Sequence, residues 1–150
     1  MSSSPTALSA PFVVETRFGR FEVRDDAVLM FAEGLPGFEQ CRRFVLLSSE
    51  ELAPLWCLQG LDAPEPSFLA VDPNLVLPRY RRLLNDADRT RVGGDGKDLI
   101  WLALVTLGDG DGTAVANLRA PVVINSERMV GAQIVQQRGQ YQIAHPLAIG

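Results

Sequence analysis

LIWLALVTL, the segment Leu99–Leu107, is apolar at every position except Thr106. A strand with one wet face alternates apolar and polar side chains, whereas an uninterrupted apolar run is typical of a strand that is covered on both faces. Full burial of each such side chain contributes about 1.5–3 kcal/mol, so this segment predicts a central strand that anchors the core. The glycine-rich segment that follows, Gly108–Gly112, supplies the positive φ angles of a tight connection into the next strand, Thr113–Leu118.

Short apolar runs bounded by turn residues recur through the rest of the chain. Alternation of apolar and polar residues on both sides of Gly19 predicts a hairpin with one buried face. About ten short strands with turn signals between them are typical of a barrel or sandwich, so the sequence predicts a small, mainly antiparallel all-β domain. The other predicted strands are 28–31, 44–47, 55–58 and 68–71, and a last hairpin joins 130–136 to 140–144.

Helix is predicted at only two places, both short. Ser48 begins an S-x-x-E capping box in which Glu51 reaches back to the backbone, so one helical turn is expected from there to Pro54. Pro78–Leu84 is the second short helix, with proline at its first position and three side chains facing the core: Tyr80, Leu83 and Leu84.

The chain has 150 residues, which fits one ordinary domain. Residues 1–12 are expected to form a disordered tail, since the N-terminus lacks the basic and apolar regions of a signal peptide, and residues 13–150 to form the folded domain. No apolar run approaches the roughly 20 residues that cross a bilayer, so the sequence predicts a cytoplasmic protein without a membrane span. Cys41 and Cys57 lack C-x-x-C spacing and are expected to be reduced thiols in that compartment.

Charge is distributed unevenly along a chain whose formal net charge is −4. Residues 1–78 carry eleven Asp and Glu against five Arg, whereas residues 79–91 carry five Arg against two Asp. An acidic surface repels nucleic-acid phosphates and attracts basic partners, so direct binding of RNA or DNA is disfavoured as the main activity. An RNA-binding alternative stays open through the arginine cluster, which consists of Arg79, Arg81, Arg82, Arg89 and Arg91.

The sequence lacks the residue constellations of catalysis and metal binding. His145 is the only histidine, and no G-x-S-x-G or H-E-x-x-H pattern gives a nucleophile or a metal its partner. The segment Gly93–Asp98 departs from the phosphate-loop pattern, and Asp109 and Asp111 lack the further ligands of a calcium loop, so both places are expected to be turns. We therefore expect no enzyme activity, cofactor, metal or small-molecule substrate.

The loop EGLPGFE, Glu33–Glu39, combines apolar side chains with two carboxylates. In a loop rich in glycine and proline, Leu35, Pro36 and Phe38 would lie near the surface with a carboxylate on either side. An apolar anchor with an acidic rim is suited to a basic protein partner. The alternative is a loop that packs Phe38 into the core, where phenylalanine is usually found.

The segment NLRAPVVIN, Asn117–Asn125, places polar side chains and a proline inside a run that otherwise reads as strand. Because proline has no N–H to donate, Pro121 predicts a bend between a strand that ends near Leu118 and one that begins at Val122. Polar side chains in such a run either hydrogen-bond the turn or contribute to a binding surface. Both roles are open for three residues: Asn117, Arg119 and Asn125.

Several segments match the pattern of a known family: FAEGLPGFE at Phe31–Glu39, FLAVDP at Phe68–Pro73, NLRAPVVIN at Asn117–Asn125, GAQIV at Gly131–Val135, then Tyr141 and HPL at His145–Leu147. On these segments, which span about Thr16 to Leu147, the chain resembles the FliW family of bacterial flagellar assembly factors.

The resemblance implies a non-catalytic protein that exchanges partners. Members of the family bind the RNA-binding translational regulator CsrA and relieve its repression of flagellin mRNA by an allosteric, non-competitive mode. They also bind newly made flagellin, which displaces CsrA. The implied protein-binding residues are Glu33, Leu35, Pro36, Phe38, Glu39, Asn117, Arg119, Pro121 and Asn125.

Two other functions remain possible from the sequence. A plain flagellin chaperone without CsrA control would need an exposed apolar groove for amphipathic helices, lined by residues such as Leu35, Phe38 and Val122. An RNA-binding barrel would use the arginine cluster, and its affinity for nucleic acid would fall steeply with salt.

Overall fold

A computed structural model of the chain describes residues 11–94, 99–108, 110, 112–137 and 140–148. These residues form eleven strands, two short α-helices and one 3₁₀ turn, Asp25–Ala27. In chain order the elements are β1 (Phe12–Thr16), β2 (Gly19–Val23), β3 (Leu29–Met30), β4 (Arg43–Leu47), β5 (Trp56–Gly60), β6 (Ser67–Val71), α1 (Pro73–Val76), α2 (Asp86–Arg91), β7 (Leu99–Leu107), β8 (Thr113–Ala116), β9 (Val122–Asn125), β10 (Val130–Gln133) and β11 (His145–Ala148).

Seven of these strands close into a barrel in the order β3-β4-β5-β6-β7-β9-β10. The last strand returns to the first through one parallel pair, Val130 beside Met30, and the other pairings are antiparallel. Strands β8 and β11 extend the sheet beyond β7, and β1 with β2 forms a separate hairpin. The predicted mainly antiparallel all-β fold is therefore confirmed.

Strand β7 is the central strand that its apolar sequence predicts. It pairs with β6 on one side and with both β8 and β9 on the other. The middle of the strand is buried, at Trp101, Leu102 and Ala103. The predicted hairpin across Gly108–Gly112 is also confirmed, since Gly110 and Gly112 have positive φ and Leu107 pairs with Ala114; Asp109 and Asp111 lie outside the described residues.

The barrel interior is filled by large apolar side chains. The rings of Phe31 and Phe44 lie 4.8 Å apart in a tilted arrangement at its centre. Gly131 leaves room for this pair, because a Cβ atom there would overlap the ring of Phe31. Other fully buried members of this interior cluster are Leu35, Leu58, Leu102 and Ile124.

The outside of the barrel is covered in two places. The hairpin β1–β2 packs Val14 and Val23 against Val45 and Cys57 of β4 and β5. The segment between β6 and β7, which contains both helices, packs its buried residues against the other face of β7 and β9. Cys41 and Cys57 are buried free thiols, and burial raises the pKa of the Cys57 thiol to about 11.

The bend predicted at Pro121 is confirmed, and it takes the form of a bulge with three extra residues. Ala116 pairs with Val105 and Val122 pairs with Leu102, so two residues of β7 face five residues, 117–121, of the partner. We call residues 117–121 the bulge. The bulge divides the strand that pairs with β7 into two strands, β8 and β9. Pro121 is buried within the bulge.

The helix predicted at Pro78–Leu84 is wrong. Asp72 caps α1 by accepting a hydrogen bond from the Asn74 N–H at 2.9 Å, and a capping box at Asn85 begins α2, so the helices lie on either side of that segment. Pro78 disfavours helical geometry at the residue before it and so ends α1. The segment after it is held in a non-helical path by contacts distant in sequence, such as the hydrogen bond from the Tyr80 hydroxyl to the Leu118 carbonyl oxygen. The expectation that Tyr80 is buried holds.

The other local expectations have mixed outcomes. The turn before Pro54 forms, but Ser49 rather than Ser48 accepts the hydrogen bond from the Leu52 N–H, at 3.2 Å. The last predicted hairpin is wrong, because β11 pairs with β8 instead of β10. Leu147 of β11 packs on the core while Ile143 is 61% exposed, which explains why the final strand lies after residue 144.

The predicted N-terminal tail lies almost wholly outside the described residues, which begin at residue 11, and β1 begins at Phe12. Residues 95–98 of the predicted Gly93–Asp98 turn also lie outside them. In the described ranges, no helix has the length and apolar character needed to cross a membrane.

Candidate protein-binding site

Residues 31–41, in the segment between β3 and β4, form a compact loop that we call the acidic loop. Three backbone hydrogen bonds close it: Gly34 N–H to Phe31 O, Phe38 N–H to Leu35 O and Cys41 N–H to Phe38 O, at 2.9, 2.7 and 3.0 Å. Gly34 has φ +63°, and a Cβ atom there would lie 2.7 Å from the Phe38 carbonyl oxygen. The loop therefore requires glycine at this position for two reasons, its backbone angle and the close approach of Phe38.

The apolar side chains of the acidic loop divide between core and surface. Leu35 is only 2% exposed and belongs to the barrel interior, so it is not the surface anchor that the sequence suggested. Phe38 is half-buried and stacks edge-on against Phe68 of β6 with ring centroids 5.3 Å apart. Pro36 is exposed. The loop thus presents Pro36 and part of Phe38 to solvent.

The two carboxylates of the acidic loop are in different situations. Glu33 pairs with Arg91 of α2 at 2.9 Å, with both side chains substantially exposed. Glu39 accepts a hydrogen bond from the Gly37 N–H at 3.1 Å, and this bond, followed by one from its own N–H, lowers the pKa of the Glu39 carboxyl. In the part of the chain that the structure describes, Glu39 has no cationic partner, so its charge is the one the loop leaves unpaired.

The two polar side chains of the bulge make different contacts. Asn117 Oδ1 accepts hydrogen bonds from the N–H groups of Arg119 and Ala120, both at 3.1 Å. Arg119 is exposed, and its Nε donates to the Tyr141 carbonyl oxygen at 3.0 Å. The local role left open by the sequence is therefore present at Asn117 and not at the Arg119 side chain. Asn117 is also accessible enough to line a groove described below.

Asn125 has a structural position at the end of β9. It is 6% exposed, and its Nδ2 donates to the Val92 carbonyl oxygen at 2.9 Å. Its Oδ1 accepts from the N–H groups of Glu127 and Arg128, both at 3.1 Å. Asn125 therefore closes the β9–β10 turn and ties the helical segment to the barrel, and it does not line the groove.

A groove of about 560 Å³ opens between the acidic loop and the bulge. It brings together five of the residues singled out from the sequence: Glu33, Leu35, Pro36, Glu39 and Asn117. Leu35 lines the groove and also belongs to the interior cluster, so the groove lies at an open end of the barrel, which we call the barrel mouth. Phe38 lines a neighbouring hollow on the other side of Phe68, while Arg119, Pro121 and Asn125 lie away from the groove.

The other residues that line the groove were not identified as site residues from the sequence: Gly34, Phe68, Arg91, Leu104, Ala120, Gln133 and Val135. Val122, which the chaperone hypothesis placed in such a groove, is instead fully buried inside the barrel. The sequence contained a signal for some of these residues, because the segments around Phe68 and Gln133 match the family pattern. Only the closed barrel, however, brings those segments beside the acidic loop.

The arginine cluster is largely paired with carboxylates. Arg82 contacts Asp72 at 3.2 Å, Arg89 contacts Asp86 at 2.9 Å, and Arg91 contacts Glu33 as described above. These contacts neutralise three of the five positive charges. Among the described residues, only Arg79 and Arg81 of the cluster have no carboxylate partner.

A sequence model of a protein family, described as FliW protein, matches residues 11–147, which include both the acidic loop and the bulge. The chain belongs to the FliW family. Within it, the chain is 33% identical over 137 residues to a flagellar assembly factor FliW from Natranaerobius thermophilus, covering 90% of this chain and 91% of the relative. It is 35% identical over 133 residues to one from Bdellovibrio bacteriovorus, covering 88% of this chain and 76% of the relative.

The FliW fold is equally clear in three dimensions. A crystal structure of the flagellar assembly factor FliW superposes with a TM-score of 0.80 at 27% sequence identity, covering 94% of this chain and 99% of the other. The barrel, the acidic loop and the bulge all lie within the residues matched by the FliW model. The groove is therefore built wholly from the part of the chain that defines its membership of the family.

Proposed function

We propose that this chain is a cytoplasmic, non-catalytic factor in flagellar assembly that binds two protein partners, the translational regulator CsrA and flagellin, and exchanges one for the other. The observation that carries the proposal is the groove at the barrel mouth, where apolar side chains lie beside the unpaired carboxylate of Glu39. A basic RNA-binding regulator complements such a rim, and charge complementarity increases both association rate and specificity.

The site residues of this proposal fall into two groups. Glu33, Pro36, Phe38, Glu39 and Arg119 are accessible to a partner, whereas Leu35, Pro121 and Asn125 act by shaping the acidic loop, the bulge and the β9–β10 turn. Asn117 does both, because it closes the bulge and lines the groove. Contact with a partner is thus expected at the first group and at Asn117.

The exchange of partners requires only that they exclude each other. Flagellin displaces CsrA when its free concentration divided by its own Kd exceeds the same ratio for CsrA. Antagonism of CsrA through a second site requires coupling of about 1–3 kcal/mol between that site and the RNA site on CsrA. Export of flagellin would then free this chain to bind CsrA, and flagellin translation would resume.

Calorimetric titration tests the exchange. We expect the chain to bind purified CsrA and, separately, flagellin from the same organism, and we expect saturating flagellin to abolish the heat of CsrA binding. Simultaneous binding of both would contradict the exchange. Binding of neither would show that this member keeps the FliW fold without the proposed function.

A flagellin chaperone without CsrA control is the second candidate. The exposed Pro36 and the half-buried Phe38 and Phe68 favour it, since they give an apolar surface at which an amphipathic flagellin helix could pack. The same titrations discriminate the two, because a plain chaperone binds flagellin and gives no heat with CsrA.

The RNA-binding alternative receives little support from the arginine cluster. Three of its five arginines are paired with carboxylates, and the chain as a whole carries −4. Replacement of Arg79 and Arg81 by Glu would remove any nucleic-acid binding that depends on the remaining two, as measured by a filter-binding assay at low salt.

A further inference from the structure

The edge of strand β10 that faces β3 is paired at one position only. Beside it, β3 is only two residues long and makes one bridge, Met30 to Val130, so the chain segments diverge beyond that point. On its other side the strand remains paired past residue 133, because Ile134 N–H donates to Pro121 O at 2.8 Å and Gln136 N–H to Arg119 O at 2.6 Å. Beyond the bridge at Val130, the segment 132–136 is thus paired on one side with β9 and the bulge, and no bridge to β3 reaches its other side.

The alternation of an antiparallel ladder identifies the open groups. Since Ile134 and Gln136 direct their N–H groups toward β9 and the bulge, the N–H and C=O groups of Gln133 and Val135 point the opposite way. Among the described residues, no strand or loop backbone pairs with these groups. We call the backbone of Gln133 and Val135 the open edge.

The groove and two smaller hollows lie in a row along the segment 131–137. A cavity of about 70 Å³ lies between residues 32–34 and 131–132, the main groove is lined by Gln133 and Val135, and a further hollow of about 310 Å³ is lined by 135–137. Seven residues of strand span about 20 Å. The Val135 side chain, which stands between the main groove and the last hollow, is 53% exposed.

From these observations we propose that the groove binds its protein partner by strand addition: an extended segment of the partner pairs with the open edge. This deepens the proposed function and rests on it. Exposed strand edges accept extended peptides in this way, with backbone bonds giving affinity and side-chain pockets giving specificity. An amphipathic helix cannot do so, because its own backbone groups are already bonded internally.

The lining of the groove defines the partner segment. Phe68, Leu104 and Val135 offer apolar contact for one side chain. Of the two carboxylates that line the groove, Glu33 is paired with Arg91, and Glu39 has no cationic partner among the described residues. The segment is therefore extended and carries an apolar residue near a Lys or Arg. Of the two proposed partners, the basic regulator CsrA fits this description, and a helical end of flagellin does not.

Residue-resolved amide exchange, measured with and without saturating CsrA, tests the proposal. Strand addition is expected to slow exchange at Gln133 and Val135 by at least about tenfold, as new hydrogen bonds form there, and to leave the already bonded amides of Ile134 and Gln136 unchanged. Binding of CsrA without protection of Gln133 and Val135 would overturn strand addition while leaving the proposed function intact. Absence of any CsrA binding would overturn both.

Proline substitution provides an independent test. Val135→Pro removes an N–H that has no partner in the free protein, so the melting temperature should change little, yet CsrA affinity should fall about tenfold or more. The matched control is Val135→Ala, which loses side-chain contact but keeps the N–H and should weaken binding less. Equal loss in the two variants would show that the side chain, and not the open edge, carries the contact.

Discussion

At the scale of single residues, the candidate site depends on side chains that do not contact a partner. Gly34 permits the close approach of Phe38 O, and Gly131 permits Phe31 to fill the barrel centre. Neither role is visible from residue type alone, because a glycine in a loop or strand has many uses. The sequence did single out Asn117 and Asn125, but only the structure shows which backbone groups each one bonds.

Gly34→Ala should destabilise the protein by about 2–4 kcal/mol, because the new Cβ atom combines an unfavourable positive φ with overlap against fixed backbone. Gly37→Ala is the matched control: its φ is +86°, but no atom lies within 4 Å of the new Cβ position, so only the backbone cost of about 1 kcal/mol applies. Urea unfolding of both variants measures the difference. Equal destabilisation would show that steric overlap at Gly34 is relieved by loop movement.

Asp62 fixes the start of β4. Its carboxylate accepts hydrogen bonds from Arg43 Nε and Nη2 at 3.0 and 2.8 Å, and from the backbone N–H groups of Arg42 and Arg43, each at 3.1 Å. These bonds lower the pKa of the Asp62 carboxyl from its ordinary value of 3.8, and the Arg43 side chain makes the largest contribution. A carboxyl with a lowered folded pKa stabilises the protein above its unfolded pKa and loses that contribution as pH falls through the folded value.

Asp62→Asn should therefore cost stability at neutral pH and progressively less below pH of about 4. Because the Arg43 side chain is 52% exposed and that of Asp62 29%, solvent screening limits the expected cost to about 1 kcal/mol at pH 7. Thermal unfolding of wild type and variant from pH 7 down to pH 3 checks this. A difference that stays constant with pH would contradict the assigned role of the charge.

At the scale of elements, sequence periodicity located strands well and helices poorly. The apolar run of β7 indicates a strand covered on both faces, and the proline of the bulge indicates an interruption of strand pairing, so both predictions hold. The segment Pro78–Leu84 has helical spacing, but Tyr80 is held in a non-helical strap over the barrel by contacts to residues distant in sequence. Such contacts, like the pairing of β11 with β8, are fixed by the closed sheet and leave no local signal.

Tyr80 should be the main attachment of that strap. Its buried hydroxyl donates to the Leu118 carbonyl oxygen at 2.8 Å, and its ring stacks on Tyr141 at 4.4 Å. Tyr80→Phe keeps the stacking but leaves the Leu118 carbonyl without this donor, so we expect a loss of about 1–2 kcal/mol in urea unfolding. Tyr141→Phe, which removes an acceptor at the exposed Arg81 N–H, should cost less, and the reverse order would contradict this assignment.

At the scale of the whole molecule, the groove exists because the barrel closes. The acidic loop, β6 and the segment that contains the bulge and β10 are separated by long stretches of sequence, and only the ring of seven strands makes them neighbours. The family resemblance found these segments one at a time. Their assembly into one surface could not be predicted from the sequence, since strand order is a property of the complete sheet.

Charge at the barrel mouth should govern how fast the basic partner binds. Glu39→Lys is expected to lower CsrA affinity about tenfold, chiefly through a slower association rate, while leaving thermal stability nearly unchanged. Glu22→Lys, on the hairpin β1–β2, carries the same charge change outside the groove and is the control. Surface plasmon resonance at two salt concentrations separates the rates. An equal effect of both variants would show that net charge, rather than the groove, is recognised.

Closure through one bridge gives this barrel a seam. Only Met30 and Val130 join β3 to β10, and Met30 N–H donates to Met129 O at 2.9 Å across it, whereas the other barrel ladders are longer or continue beyond the strand ends. Cooperative units of a fold open first where the fewest bonds must break. Transient separation of β3 from β10 would widen the groove while the longer ladders of the barrel stay intact. The barrel therefore combines a rigid sheet with one mobile edge, and that edge lies where a binding partner enters the groove.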